Sequence, residues 1–119
     1  MNTRLRTKVW FEVNGEFAIG QGGLDLLAAI VSTGSITRAA RDIGWSYRHA
    51  WGYIRNAEKV LTMALIEARP GKGRSRGTIL TESGRILFAQ LSAERDRIER
   101  AAQSSEERFS GGNREVATR

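Results

Sequence analysis

The sequence predicts a mostly α-helical domain with a small amount of β structure, on three observations. An alternating apolar stretch runs into Asn14-Gly15. Two amphipathic segments meet at a short turn containing Gly44. A Gly- and Arg-rich loop separates two short apolar runs, and a long helical pattern follows. Size and composition agree: 119 residues suit one domain with a tail, and 40% apolar with 27% charged residues is a globular balance.

Leu5, Thr7, Val9, Phe11 and Val13 alternate along residues 5–13, which predicts a strand. Asn14 and Gly15 both tolerate positive φ, so they form a two-residue hairpin turn, and residues 16–19 return. Gly20 to Gly23 interrupts the pattern, and a helix is expected from Leu24. Leu24, Leu27, Ala28 and Val31 share one face of it, and Thr33-Gly34 ends it. Ser35 is an N-cap for a short helix over residues 36–43, whose apolar side is Ile36, Ala39, Ala40 and Ile43. Gly44 suits the left-handed position that closes a helix, and Trp45 plugs the turn. Ser46 then caps a longer helix, from Tyr47 to about Met63, and the pair makes a helix-turn-helix. Residues 65–68 and 78–80 are the strands of a ribbon whose tip holds the only proline and Arg69, Lys72, Arg74 and Arg76. Thr81 caps a last helix over about residues 82–107, and the polar stretch 110–119 is expected to be a disordered tail. The order is that of a winged helix-turn-helix over residues 1–109, with an N-terminal β-hairpin and a long C-terminal helix.

The net charge of +6 lies in one place. Residues 35–77 hold Arg38, Arg41, Arg48, Arg55, Lys59, Arg69, Lys72, Arg74 and Arg76, opposed only by Asp42, Glu58 and Glu67. The segments on either side are each balanced. An excess so localised is the electrostatic footprint of a polyanion-binding face, although a solvated basic surface has the same composition. On the second helix of the pair, Ala50, Ile54, Ala57 and Leu61 point one way, and Arg48, Gly52, Arg55 and Lys59 point the other. A glycine in that outward face costs about 1 kcal/mol of helix propensity against alanine, and space for a closely approaching surface is its natural compensation.

Other chemistry finds little support. His49 is the only histidine and there is no cysteine, so a zinc site built on nitrogen and sulfur is not expected, nor any other metal or cofactor. Gly71-Lys72-Gly73 lacks the spacing of a phosphate loop, and no catalytic constellation stands out, so the chain does not read as an enzyme. The longest apolar run is six residues, Leu26 to Val31, against about 20 for a membrane-spanning helix. With no cysteine, a reducing compartment is the simplest reading, and a cytoplasmic location is compatible with it.

Gly34-Ser35 with Ala39-Ala40, then Ser46, Ile54-Arg55 and Glu58, resembles the DNA-binding domain of LysR-type regulators, as does Leu80-Thr81-Glu82 with Gly84-Arg85 and Leu87. Ser46-Tyr47-Arg48, Ala50-Trp51, the Gly71-Lys72-Gly73 wing and the preceding hairpin look closer still to the N-terminal domain of ModE-type molybdate-responsive regulators. The resemblance covers about residues 5–105. It implies a homodimeric bacterial transcription factor on double-stranded DNA. Ser46, Tyr47, Arg48, Trp51 and Arg55 match its recognition helix, and Lys72, Arg74 and Arg76 match its wing. One departure is Tyr47-Arg48-His49, where LysR-type proteins often carry Gln-Pro-Ala. Another is that the oxyanion-binding domains of the molybdate-responsive family are not expected within these 119 residues.

The expected DNA face is therefore Ser35, Thr37 and Arg38, then Ser46, Tyr47, Arg48, His49, Trp51, Gly52, Arg55 and Lys59, then the wing cations. Leu87, Leu91, Ile98 and Ala102 recur at helical spacing on the last helix and are the expected dimer interface, unless the first of them simply close the core. Two alternatives are a winged helix used as a protein-interaction module and a nonspecific nucleoid-type DNA binder. The cations Arg48, Arg55 and Lys59 argue against the first, because such modules need an apolar anchor there.

Overall fold

A computed structural model describes residues 2–71 and 77–118, the last eight of these as backbone. The elements in order are β1 (Trp10–Val13), β2 (Glu16–Gly20), α1 (Gln21–Thr33), α2 (Ile36–Ile43), α3 (Tyr47–Leu61), β3 (Ile66–Ala68), β4 (Thr78–Leu80) and α4 (Glu82–Thr118). β1 pairs with β2 and β3 with β4, both antiparallel, as separate two-stranded sheets. This is the predicted winged helix-turn-helix preceded by a hairpin.

The hairpin turns at Asn14 and Gly15, with φ of 52° and 83°. Its register carries a bulge: Phe11 faces Ile19 and Glu12 faces Phe17, leaving Ala18 as an extra residue. The bulge lets Ala18, Ile19 and Gly20 all be buried, which strict alternation forbids. Regular pairing starts only at Trp10, whereas alternation predicted it from Leu5. The partner strand explains this. β2 gives way to α1 directly after Gly20, the residue opposite Trp10, so residues 5–9 have no strand to pair with. They turn instead toward α4, where the Leu5 amide donates to Glu106 Oε2 at 2.8 Å.

α1 begins at Gln21, three residues before the predicted start. Its first turn includes Gly22 and Gly23 because aromatic rings lie against it. A Cβ on Gly22 would sit 2.7 Å from Trp45 Cζ2, and one on Gly23 would collide with Tyr53 and Ile19. The buried face is also not the predicted one. Leu24, Leu26, Leu27 and Ile30 are buried, Ala28 is exposed, and Val31 is 61% exposed. α1 is the centre of the fold, touching β2, α2, α3, β4 and α4, so its neighbours cover a broader and rotated arc.

The core joins α1 to Ile19, Ile36, Ala39, Ala40, Ala50, Ile54, Ala57, Leu65, Ile66 and Leu80. Ala39 and Ala40 of α2 and Ala50 and Ala57 of α3 are buried small side chains. The ribbon is fastened at its base: Thr78 N–H donates to Gly34 O at 2.8 Å, and Arg69 N–H to Gly77 O at 2.8 Å. Thr81 caps α4 as predicted, accepting from Gly84 N–H at 2.9 Å, and donates to Ala64 O at 2.6 Å. α4 continues to Thr118, past the predicted end near residue 107 and through the stretch expected to be a disordered tail. At 1.5 Å per residue its 37 residues span about 55 Å, much of the 70 Å long axis.

Candidate nucleic-acid interface

The helix-turn-helix is set by three local devices. Ser35 Oγ accepts from Arg38 N–H at 3.2 Å, and Ser46 Oγ from His49 N–H at 3.0 Å, so each helix starts on a capped amide. Between them Gly44 takes φ 79°, and Trp45 N–H bonds back to Ala40 O at 2.8 Å. The turn is therefore fixed by backbone hydrogen bonds, and it sets the direction of α3.

Ala50, Ile54 and Ala57 are buried under α3, and Arg48, Gly52, Arg55 and Lys59 are exposed on its far side, as the sequence predicts. A Cβ on Gly52 would meet nothing within 4 Å, so the helix backbone is bare there. Thr37 and Arg38 are exposed at the start of α2. The α1–α2 junction just before them meets the ribbon, where Gly34 O accepts the Thr78 amide. Arg69 is exposed at the ribbon's edge. Lys72, Arg74 and Arg76 lie outside the described residues.

Beside these cations runs an ordered row that the sequence did not disclose. Tyr47 and Trp51 stack nearly parallel, at 6.5 Å between centroids and 7° between planes. The Arg55 guanidinium lies 4.1 Å from the Trp51 ring centroid. Arg55 also pairs with Glu58, Nη1 to Oε1 at 2.7 Å. Glu58 Oε2 in turn accepts from the amides of Leu65 at 2.8 Å and Ile66 at 3.4 Å, tying the end of α3 to β3. Arg55 is thus engaged on two sides, whereas Arg48 makes no such pairing among the described residues. The signal for Glu58 was its position: a carboxylate in the last turn of a helix opposes the helix dipole, so it needs a specific donor.

The opposite flank of α3 is structural. His49 packs against Trp45 at 4.3 Å and Tyr53 at 6.3 Å, and Trp45 lies 5.2 Å from Tyr53. Tyr53 Oη accepts from Gly20 N–H at 2.8 Å, joining α3 to the hairpin. Burial pushes the Tyr53 phenol up from its ordinary value, partly offset by backbone hydrogen bonds at Gly20 and Gly23. His49 therefore sits with this docking cluster rather than with Arg48 and Trp51. The adjacent Gly22-Gly23 pair, inside an apolar helical run, was the signal that rings approach there.

On α4, Leu87 and Leu91 pack against the chain's own core together with Phe88, so half of the predicted dimer stripe closes the monomer. Ala102 lies beside Leu5, Arg6 and Thr7 of the N-terminal segment. Ile98 is 38% exposed, and Ile86 and Phe109 are exposed as well. No helix among the described residues is long and apolar enough to cross a membrane.

Residues 22–85 match the family of bacterial regulatory helix-turn-helix proteins of the lysR type. The chain is 39% identical over 75 residues to the molybdenum-pterin-binding protein MopB of Rhodobacter capsulatus, covering 63% of this chain and 28% of that protein. It is 44% identical over 64 residues to the molybdenum transport protein ModE of Herbaspirillum seropedicae, covering 54% and 24%. With the DNA-binding transcriptional dual regulator ModE of Escherichia coli K12 it shares 34% identity over 65 residues, covering 55% and 25%. The chain thus matches about a quarter of the length of these relatives. Among solved structures it resembles Vibrio fischeri DarR in complex with DNA, with TM-score 0.60, 18% identity and coverage of 78% and 30%. It also resembles the CbnR DNA-binding domain in its DNA complex, with TM-score 0.51, 23% identity and coverage of 82% and 95%. At these identities the structural likeness shows the fold.

Proposed function

The chain belongs to the LysR-type family of bacterial regulatory helix-turn-helix proteins, and from that premise we propose that it binds double-stranded DNA sequence-specifically as a transcriptional regulator. The carrying observation is the outward face of α3. Arg48, Gly52 and Lys59 are exposed on a helix whose other face is buried, beside a bare backbone at Gly52. A major groove admits such a helix, and an arginine free to extend pairs bidentately with guanine. Ser46, Tyr47, Trp51 and Arg55 complete the contact surface, with His49 at its margin. Ser35, Thr37 and Arg38 meet the flanking phosphates from the start of α2. Arg69, Lys72, Arg74 and Arg76 on the ribbon reach the backbone or the minor groove. The protein works in the cytoplasm and without enzymatic chemistry, as its relatives named as transcriptional regulators suggest.

The same reading makes the protein a homodimer joined through α4. The long helix projects beyond the core, and Ile98 and Phe109 are exposed along it. Two-fold symmetry sets two copies of α3 on one side of the duplex, so the site is a pseudo-palindrome. Selection of bound duplexes from a random DNA pool tests both parts. An enriched inverted repeat is the expected result. Binding without any enrichment would leave a nonspecific binder, and no binding at all would return the fold to the class of protein-interaction modules.

A further inference from the structure

The two exposed rings on α3 need an explanation that the cations do not supply. Tyr47 is 53% exposed and Trp51 37% exposed, on the helix whose outward face carries Arg48, Gly52 and Lys59. Leaving large rings in water forgoes about 25 cal/mol per Å² of burial, so a stacked pair held at a working surface points to an apolar partner. The pair is also fixed in orientation. Tyr47 lies one turn before Trp51 and parallel to it, Arg55 lies one turn after it over the indole, and Glu58 anchors Arg55. The Arg55 guanidinium covers one face of the indole, which leaves that face closed to a stacked base. Both exposed rings carry apolar C–H edges beside one polar group each, the Tyr47 hydroxyl and the Trp51 indole N–H.

We infer that this stack reads thymine, by packing the edges of Tyr47 and Trp51 against thymine C5-methyl groups in the major groove. The thymine methyl is the one apolar group that a base pair presents there, and side chains without polar reach distinguish bases through it. The inference rests on the DNA-binding reading above and names which bases that face selects. It also divides the work of the cations. Arg48 is placed to pair with guanine, whereas Arg55 is a positioning residue that holds the indole on edge. Stacking on unpaired bases is the competing use of aromatic side chains on nucleic acid, and on Trp51 the Arg55 guanidinium already occupies one of the ring faces it requires.

The test uses the whole 119-residue chain and the duplex enriched from a random pool, prepared with thymine and again with uracil replacing every thymine. Fluorescence anisotropy then compares the two duplexes for the unmodified chain, for Trp51→Ala and for Tyr47→Ser, with circular dichroism as the check on folding. Each lost methyl contact is expected to weaken the unmodified chain about fourfold, the worth of one buried CH₂. Trp51→Ala and Tyr47→Ser bind both duplexes more weakly and discriminate less between them. Tyr47→Ser, at the exposed first position of α3, carries the comparison if Trp51→Ala does not fold. Equal binding of thymine and uracil duplexes by the unmodified chain overturns the inference and leaves DNA binding intact. Undiminished discrimination in the folded variants also overturns it. Tighter binding to the single strand overturns it in favour of base stacking. If no duplex is bound, the DNA-binding reading falls, and this one with it.

Discussion

α3 and the outer half of α4 are both exposed helices, and the chain treats them in opposite ways. On α3 the exposed aromatic groups and the exposed Arg55 are already committed to neighbours: Tyr47 to Trp51, Trp51 to Arg55, and Arg55 to the largely covered Glu58, which holds the amides at the start of β3. Beyond Leu91, α4 leaves the core, and its polar contacts include near-neighbour pairs such as Glu94 with Arg97 and Arg95 with Asp96. Exposed near-neighbour ion pairs are worth little, so they do not fix a surface. Ile98 and Phe109 stand among them in solvent. The difference separates two kinds of binding surface. A surface that must discriminate among bases gains from being ordered beforehand, because immobilised side chains cost less on binding. A surface that only needs a copy of itself can rely on burying apolar area.

The largest expected effect breaks the α4 side. Ile98→Glu lies outside the core, so the domain should still fold, while the dimer should separate. Loss of the second half-site lowers affinity for a palindromic duplex by about 100-fold or more. Sedimentation and anisotropy check this together. An unmodified chain that sediments as a monomer at tens of micromolar, free and on DNA, removes the idea.

The next effect sharpens the α3 side by setting two arginines against each other. Arg48→Ala should cost about 1–3 kcal/mol of binding and relax preference at one position. Arg55→Ala should act differently, lowering Tm as well as affinity and relaxing preference less sharply, because its guanidinium is held on Trp51 and Glu58. Identical selection profiles for the two variants would count against the division. Glu58→Ala should lower stability by about 1–3 kcal/mol, since it leaves the Leu65 amide without its acceptor. A thermal melt within error of the unmodified protein would contradict that.

The smallest effect concerns the structural flank of α3. Burial favours the neutral Tyr53 phenol, so the folded state holds its proton above the ordinary value of 10.0. An unfolded chain releases that proton first as pH rises. The stability is therefore complete below about pH 10 and declines above it. Tyr53→Phe should flatten this decline and cost about 1 kcal/mol at neutral pH through the lost bond to the Gly20 amide. Urea midpoints measured across that pH range decide it.

Elements whose causes lie within one turn of chain were legible from the residues alone. The Asn14-Gly15 hairpin, the Ser35, Ser46 and Thr81 caps, and the Gly34 and Gly44 stops all stand where residue chemistry put them. The split of α3 into a buried side and a basic side was legible for the same reason, since helical spacing alone sorts the faces. Tertiary structure decided whatever depends on a neighbour remote in sequence. Residues 5–9 alternate like a strand yet stay unpaired, because their partner becomes α1. Val31 fits an apolar stripe yet stays in water, because the arc covering α1 is rotated toward Leu26 and Ile30. Leu87 and Leu91 share a helical stripe with Ile98 and Ala102, yet they are the members of it that pack against the monomer core. Glu58 and Tyr53 became structural only through the Leu65 and Gly20 amides, 7 and 33 residues away. Periodicity states which residues share a face; only packing states what covers that face, because burial is a property of two surfaces.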